Sequence, residues 1–593
     1  MRAVKVSGAL IVPIAFGLLV VATVGAFFVT TRLKRSRPVV TRLTFSKYVS
    51  PNGDGRRDFV NIGFRTKETD DVTVSLISQG GDEVRMLVRD RKLRAGRHEF
   101  RWDGRLASGA VAPDGRYRVR VGLRKQGRSV ISRRELIVDV TPPRPVVRDV
   151  TPNAISPDGT GTGNETTLRF VGPNRTRPTL LVYRTDLANV RLVARAFGSR
   201  ESSTIAWNGQ VGLGGRKGPA PPGDYLLVVR TRDAAGNEGP AGLPPRRGQF
   251  GGHPGVVARY IQATGPLQPV KAGSPVRFGV QSDHRRYRWS VRRVGSKHLI
   301  ARGSSGRHAL HLRAPTGGSG MFLLDLRVGR HRYQTPFAVQ AKRKQHVLVV
   351  VPALTWEARN TLDTTGDGFP DVLPEDPSVG LVRPFAGGGL PPSFALNEAP
   401  LFRVLDRMRV RYDVTTDLAL VKGMARPPIR YRAILFAGAP RYFPTELGGL
   451  ARSYVESGGR IAWFGTGGFT SPVRLRGNLL ERLPASPDRN ALGERLRPRN
   501  QGLLTVLGDT IEFFRGVGAN FGSFPRLEET VELPRGARIL ASAGSEANRP
   551  SLVVYRDGRG VVVRVGIDGF ARTAASSPEV QRIMSRLWTL LSR

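Results

Sequence analysis

Ser50-Pro51-Asn52-Gly53-Asp54-Gly55, Trp102-Asp103-Gly104 and Ala112-Pro113-Asp114-Gly115-Arg116-Tyr117-Arg118-Val119 decide the fold. The same signals return in the same order as Ser156-Pro157-Asp158-Gly159, Trp207-Asn208-Gly209 and Pro221-Pro222-Gly223-Asp224-Tyr225-Leu226-Leu227-Val228. The return comes after roughly 105 residues, the length of one two-sheet sandwich. Ser-Pro-x-Gly can continue neither a helix nor a central strand, so it marks the entry of each module. Trp-Asp/Asn-Gly reads as a strand ending in a tight turn, where Gly takes positive φ and Asp or Asn caps the bend. The tyrosine then opens an alternating strand. Two tandem antiparallel β-sandwiches are expected, over residues 41–143 and 144–245.

Working outward, the 593-residue chain needs several cores. It has no cysteine, which excludes disulfides, thiolate zinc sites and a cysteine nucleophile. Seventy Gly and 43 Pro in a chain that is 40% hydrophobic favour short strands and tight turns over helical bundles or disorder. Lys and Arg number 93 against 47 Asp and Glu, a formal charge of +46 that would attract anionic polymers. The arginines are scattered, as in Arg116-Tyr117-Arg118-Val119-Arg120, rather than gathered into one footprint. Nucleic acid is therefore not the expected partner.

From Gly8 to Val29 no residue is charged, a run about as long as the ~20 residues needed to cross a bilayer core. The expectation is a transmembrane signal-anchor helix over 8–29, after a cytoplasmic N-terminus at 1–7 and before a basic linker at 30–40. Arg2 and Lys5 precede the run, whereas Arg32, Lys34, Arg35 and Arg37 follow it. Flanking charge alone would keep the body cytoplasmic. The module types favour export, so the expected placement is a single-pass cell-membrane protein of a bacterial envelope with its bulk extracytoplasmic.

Alternating segments such as Val276-Arg277-Phe278-Gly279-Val280 and Tyr287-Arg288-Trp289-Ser290-Val291 predict a third β-sandwich over 246–343. From 344 to 593 apolar runs alternate with helical stretches at 398–409, 445–457 and 577–592. The runs include Val347-Leu348-Val349-Val350-Val351, Ala433-Ile434-Leu435-Phe436 and Ile461-Ala462-Trp463-Phe464. That order predicts an α/β doubly wound domain of the flavodoxin or glutamine-amidotransferase type, with ligands beyond the carboxyl ends of its strands. Asp363, Asp367 and Asp371 alternate with glycines as calcium ligands do, with Glu375 or Asp376 as a further carboxylate; an Asx-turn loop fits the same spacing. Asn52, Asp54 and Asp58 are spaced in a similar way, but Arg56 stands among them and favours Asx turns.

The repeated Ser-Pro, Trp-Asp-Gly and Pro-x-Gly-x-Tyr signals resemble the Ig-like domains of FlgD, the flagellar hook-capping protein, which implies spacing or adhesion and no catalysis. The Thr355-Trp356-Glu357-Ala358-Arg359-Asn360 loop, Asp413-Val414-Thr415-Thr416-Asp417-Leu418, the Tyr442 loop and the Gly458-Gly459-Arg460 turn resemble the C-terminal domain of the N,N-dimethylformamidase β subunit. Active members hold a mononuclear iron with tyrosine and glutamate side chains and cleave the C–N bond of linear amides. The resemblance makes Tyr442, Glu446, Trp356 and Asn360 the candidate catalytic residues, with Tyr442 and Glu446 as candidate iron ligands. The chain departs from the family at Ala439-Pro440-Arg441, where an acidic, His-containing loop would stand, and at Arg359, where an aromatic is common. The expected function is thus a ligand- or partner-binding domain held out by Ig-like spacers. A metal-dependent amidohydrolase and a binder of anionic envelope polymers are the alternatives; iron and calcium are the cofactors in view, and envelope proteins the other partners.

Overall fold

The computed structural model describes residues 11–34, 39–159, 163–173, 176–240, 245–249, 254–484 and 488–593. Residues 11–34 form a helix, Ile11–Lys34. Among the described residues no helix is long and apolar enough to cross a membrane. The expected transmembrane anchor, and the single-pass, extracytoplasmic placement that rested on it, are corrected accordingly. Residues 1–10, which include the expected cytoplasmic segment and the start of the anchor, lie outside the described residues, as do 35–38 of the expected basic linker.

The chain divides into two compact units, the first holding 1–144 together with 173–176 and 231–241, the second holding the remainder. In the first, a three-stranded sheet (Val40–Thr44, Val60–Thr66, Gly96–Trp102) and a six-stranded sheet centred on Gly115–Leu123 and Asp70–Ser78 enclose one core. The repeated motifs have direct structural work. Trp102 is buried, donates Nε1–H to the Arg105 carbonyl at 2.8 Å and packs 5.9 Å from the Tyr117 ring; the Tyr117 hydroxyl donates to the Pro113 carbonyl at 2.8 Å. Gly104 has φ +70°, and a Cβ there would lie 2.6 Å from Pro51 Cγ, so the turn glycine and the entry proline need each other. The Ser50–Asp58 loop closes through Asx turns: Asp58 accepts from Gly53 N at 2.9 Å and Gly55 N at 2.8 Å, and Asn52 Oδ1 accepts from Asp54 N at 3.0 Å.

The second unit repeats this geometry. Trp207 Nε1 donates to the Gln210 carbonyl at 3.0 Å, Tyr225 OH to the Pro221 carbonyl at 2.8 Å, and Gly209 at φ +65° lies against Pro157. This module's larger sheet takes in Gly255–Ala258, beside Gly223–Arg232. A further pair of sheets follows, one of three strands and one of five around His331–Gln340 and Gly320–Val328, sharing a core with Phe278, Phe322 and Phe337.

The C-terminal region corrects the doubly wound α/β expectation. It is built on a β-rich, nine-stranded mixed sheet, and strand outweighs helix by 44% to 13% among the described residues. Five neighbours are parallel: Asp413–Thr416, Val347–Val351, Ala433–Phe436, Arg460–Phe464 and Gly560–Val565. The sheet continues antiparallel through Arg549–Asp557, Arg538–Glu546, Arg495–Asp509 and Asn520–Glu532. The strand–helix alternation read from the apolar runs at 347–351, 433–436 and 461–464 breaks off at residue 495 and resumes only with Gly560–Val565 and the Pro578–Ser592 helix. At 495 the chain forms strands of 15 and 13 residues, the first with a single buried residue and the second with one short buried run at 527–530, so neither shows a sustained alternation.

Candidate functional site

The parallel strands Val347–Val351, Ala433–Phe436, Arg460–Phe464 and Gly560–Val565 deliver their next residues to one rim. A cavity of about 350 Å³ lies there, lined by Thr355, Arg359, Ser393, Asn397, Arg441, Thr466, Arg526 and Asp568, among others. Gly465 turns the chain at φ +92°; a Cβ would stand 3.2 Å from Asp568 Oδ1 and 3.3 Å from Asn397 Nδ2, so glycine keeps the floor open. Asp568 is fixed by Thr466, whose N–H donates to Oδ1 at 3.1 Å and whose hydroxyl donates at 3.3 Å. Asn397 Oδ1 accepts from Gly569 N at 2.8 Å.

Three guanidinium groups face this frame. Arg526 Nη1 lies 3.7 Å from Asp568 Oδ2. Arg359 and Arg441 are exposed and make no ion pair among the described residues; Arg441 lies 6.0 Å from the Tyr442 ring centroid. One lining carboxylate therefore faces three cations, an arrangement suited to an anion that brings its own acceptor oxygens.

Glu398 lies behind Ser393 and Asn397. It is buried, and its Oε1 accepts from Trp356 Nε1 and Ser393 Oγ, each at 3.3 Å, while Oε2 has no hydrogen-bond partner among the described residues. Burial pushes its carboxyl up to about 7. Gly438 is required beside it, because a Cβ there would overlap Oε1.

Trp356 thus belongs to the cavity's support, wedged edge-on to Phe385 and Phe394. Asn360 is buried away from the lining and clamps a loop, Nδ2 donating to the Pro384 carbonyl at 3.0 Å and Oδ1 accepting from Ala386 N at 3.0 Å. Tyr442 packs in an apolar cluster with Leu354, Leu373, Leu418, Val473 and Leu480, and its backbone N–H donates to Thr355 Oγ1 at 3.0 Å. Glu446 is exposed in the first turn of the Thr445–Glu456 helix, where Thr445 Oγ1 lies 3.4 Å from it. Among the described residues no hydrogen bond joins the Tyr442 hydroxyl to a carboxylate, and Glu446 faces solvent.

Asp363, Asp367 and Asp371 do come together, with one oxygen from each within 4.8 Å of the others. Arg247 joins them: Nε donates to Asp367 Oδ2 at 2.7 Å, Nη2 to Asp371 Oδ1 at 3.1 Å and Nη1 to Asp376 Oδ2 at 2.8 Å. Backbone donors take Asp363, from Gly366 N at 2.6 Å and Gly368 N at 2.8 Å. The negative charge of the loop is answered by a guanidinium of the chain itself.

Arg359 and Arg441 enter the sequence reading only as departures from a family pattern. Arg526, Asp568 and Glu398 carry no motif, and Arg526 and Asp568 reach the site from a late strand and a late turn.

Residues 307–502 match the family described as N,N-dimethylformamidase beta subunit-like, C-terminal, and residues 57–127 match the FlgD Ig-like domain. The first match includes Arg359, Glu398 and Arg441 and stops before Arg526 and Asp568. No curated protein matches the chain. Among solved structures, the FN1-FN3 domains of chicken CNTN1 align over 50% of this chain and 97% of that one, at 11% identity and a TM-score of 0.17. The human OSCAR ligand-binding domain aligns over 32% and 89%, at 20% identity and a TM-score of 0.18. A thua-like protein from Parabacteroides merdae aligns over 42% and 90%, at 12% identity and a TM-score of 0.23. At such TM-scores these likenesses carry no argument.

Proposed function

We propose that the C-terminal region is a binding module for a small anionic ligand, held out by the Ig-like modules as spacers. The observation that carries this reading is the pair Arg359 and Arg441, two guanidinium groups without a carboxylate partner on the rim of a 350 Å³ cavity that also holds Arg526. The planar fork of arginine matches carboxylate or phosphate oxygens two at a time, and each charge-assisted contact contributes roughly 1.5 to 3 kcal/mol. Asp568, Thr466 and Ser393 add sites for ligand hydroxyl or amine groups. Equilibrium titration of the full chain with inorganic phosphate and with succinate tests this. Binding of one of them, weakened about tenfold or more by Arg359→Ala and by Arg441→Ala, is the expected result; no saturable binding of either opposes the reading.

Amide hydrolysis is the second reading. The likeness over 307–502 suggests it, and Glu398 favours it, because a buried carboxyl pushed up to about 7 behind the cavity can exchange a proton near neutral pH. Turnover of small linear amides, lost in Glu398→Gln, would support it.

A further inference from the structure

A larger cavity, about 850 Å³, lies elsewhere, between the loops at 293–296 and 317–319 and the end of the Glu398–Arg407 helix. Its lining holds Arg293, Arg403, Arg407, Arg409 and Arg411 against a single carboxylate, Asp406. Asp406 is already taken: Arg293 Nε donates to Oδ2 at 2.6 Å and Nη2 to Oδ1 at 2.8 Å, and the Tyr412 hydroxyl donates to Oδ1 at 3.1 Å. The other four arginines are exposed and make no ion pair among the described residues.

Cations near a helix C-terminus ordinarily answer its dipole, equivalent to about half a charge. Four free guanidinium groups exceed that need. Two details indicate that they are built in. Arg403 lies flush on Gly295 and Arg293 on Gly320: a Cβ at Gly320 would stand 2.6 Å from Arg293 Nη2, and one at Gly295 would overlap the stem of Arg403. Arg409 holds φ +54° just past the helix end, where glycine or asparagine is the usual residue.

The contents of the cleft narrow its partner. Every cation in it is arginine, the side chain that forks onto oxyanions. Its one aromatic residue, Tyr412, is buried and bonded to Asp406, so no ring is free to stack on a base. Four free charges drawn from residues 403–411 ask for negative charges spaced as closely, which a phosphate chain offers and a uronate polymer, with one charge per sugar, does not. We propose that this cleft binds a linear chain of phosphate groups, independently of the strand-end cavity.

The test is a titration of the full chain with inorganic polyphosphate, beside oligo-dT and polygalacturonate. Arg407→Glu/Arg411→Glu is compared with Arg133→Glu/Arg134→Glu, an exposed pair in the first unit that changes net charge equally. The expected result is polyphosphate binding that weakens at least tenfold in the cleft variant and little in the control. For roughly four contacts it should also weaken on the order of fifty-fold between 50 and 200 mM salt. Equal losses in both variants would mean that net charge alone is responsible and would overturn the proposal, as would tighter binding of oligo-dT or polygalacturonate. Arg359→Ala/Arg441→Ala should leave polyphosphate binding intact; loss only in that variant would overturn this inference while leaving the strand-end reading standing.

Discussion

Arg564 Nε donates to Glu494 Oε1 at 3.2 Å with both side chains wholly buried. The guanidinium also donates from Nη1 to the Glu528 carbonyl at 2.9 Å and from Nη2 to Thr530 Oγ1 and, at 3.3 Å, to the Pro550 carbonyl. It joins the last parallel strand to the antiparallel half of the sheet. Removing one partner of such a pair leaves a buried charge without compensation, at a cost of about 3 to 5 kcal/mol. Arg564→Met should therefore lower the denaturation midpoint of the C-terminal region strongly, and a loss below about 1 kcal/mol would contradict the network.

Glu398 gives a pH dependence with a definite sign. Its folded-state value near 7 stands above the ordinary 4.5, so the folded protein binds more protons than the unfolded chain between those limits. Its contribution to stability should fall as pH rises from about 4.5 to 7, by roughly 1.4 kcal/mol per unit at most. Glu398→Gln should remove that slope and raise stability more at pH 8 than at pH 5. Equal effects at the two pH values in chemical denaturation would count against the assignment.

Arg247 stands where a cation would serve Asp367, Asp371 and Asp376. Arg247→Ala should destabilise by about 2 to 4 kcal/mol, through the uncompensated carboxylates. Calcium should raise the melting temperature of the variant and leave the parent unchanged. A parent stabilised by calcium to the same degree would show that the guanidinium does not fill the cation's place.

The repeated turn is tested by two glycines five residues apart, Gly104 and Gly109. Gly104→Ala meets both a φ of +70° and Pro51, whereas Gly109→Ala meets a φ of +84° with nothing within 4 Å. The first should cost roughly 1 to 2 kcal/mol more than the second in equilibrium unfolding, since it adds overpacking to backbone strain. Equal costs would mean that the proline contact does not define the turn.

How much of this was legible in the sequence varies from element to element. The repeat was readable because Trp102 and Tyr117, like Trp207 and Tyr225, are large residues beside turn glycines, and each pair forms a core contact in its module. The helices Glu398–Arg407, Thr445–Glu456 and Pro578–Ser592 fall where an apolar face recurs at helical spacing. The long strands 495–509 and 520–532 were not legible, since much of their length faces solvent and lacks a simple alternation. The uncharged run from Gly8 to Val29 suggests a membrane anchor, yet among the described residues no helix is long and apolar enough to cross a membrane. The candidate site was half visible. The strand-end loops at 352–360 and 438–442 were picked out, but Tyr442 turned into an apolar cluster, and Arg526 and Asp568 join the site only through the sheet. Arg247 reaches the acidic loop from far away in the chain, which no local spacing can announce.

The central claim, that Arg359, Arg441 and Arg526 hold an anion, is tested most directly by residue-resolved phenylglyoxal labelling of the full chain with and without saturating inorganic phosphate or succinate. The account predicts that one of these anions slows labelling of these three arginines several-fold while the exposed Arg133 and Arg134 label as before. Unchanged labelling of Arg359 and Arg441 with both anions would contradict it.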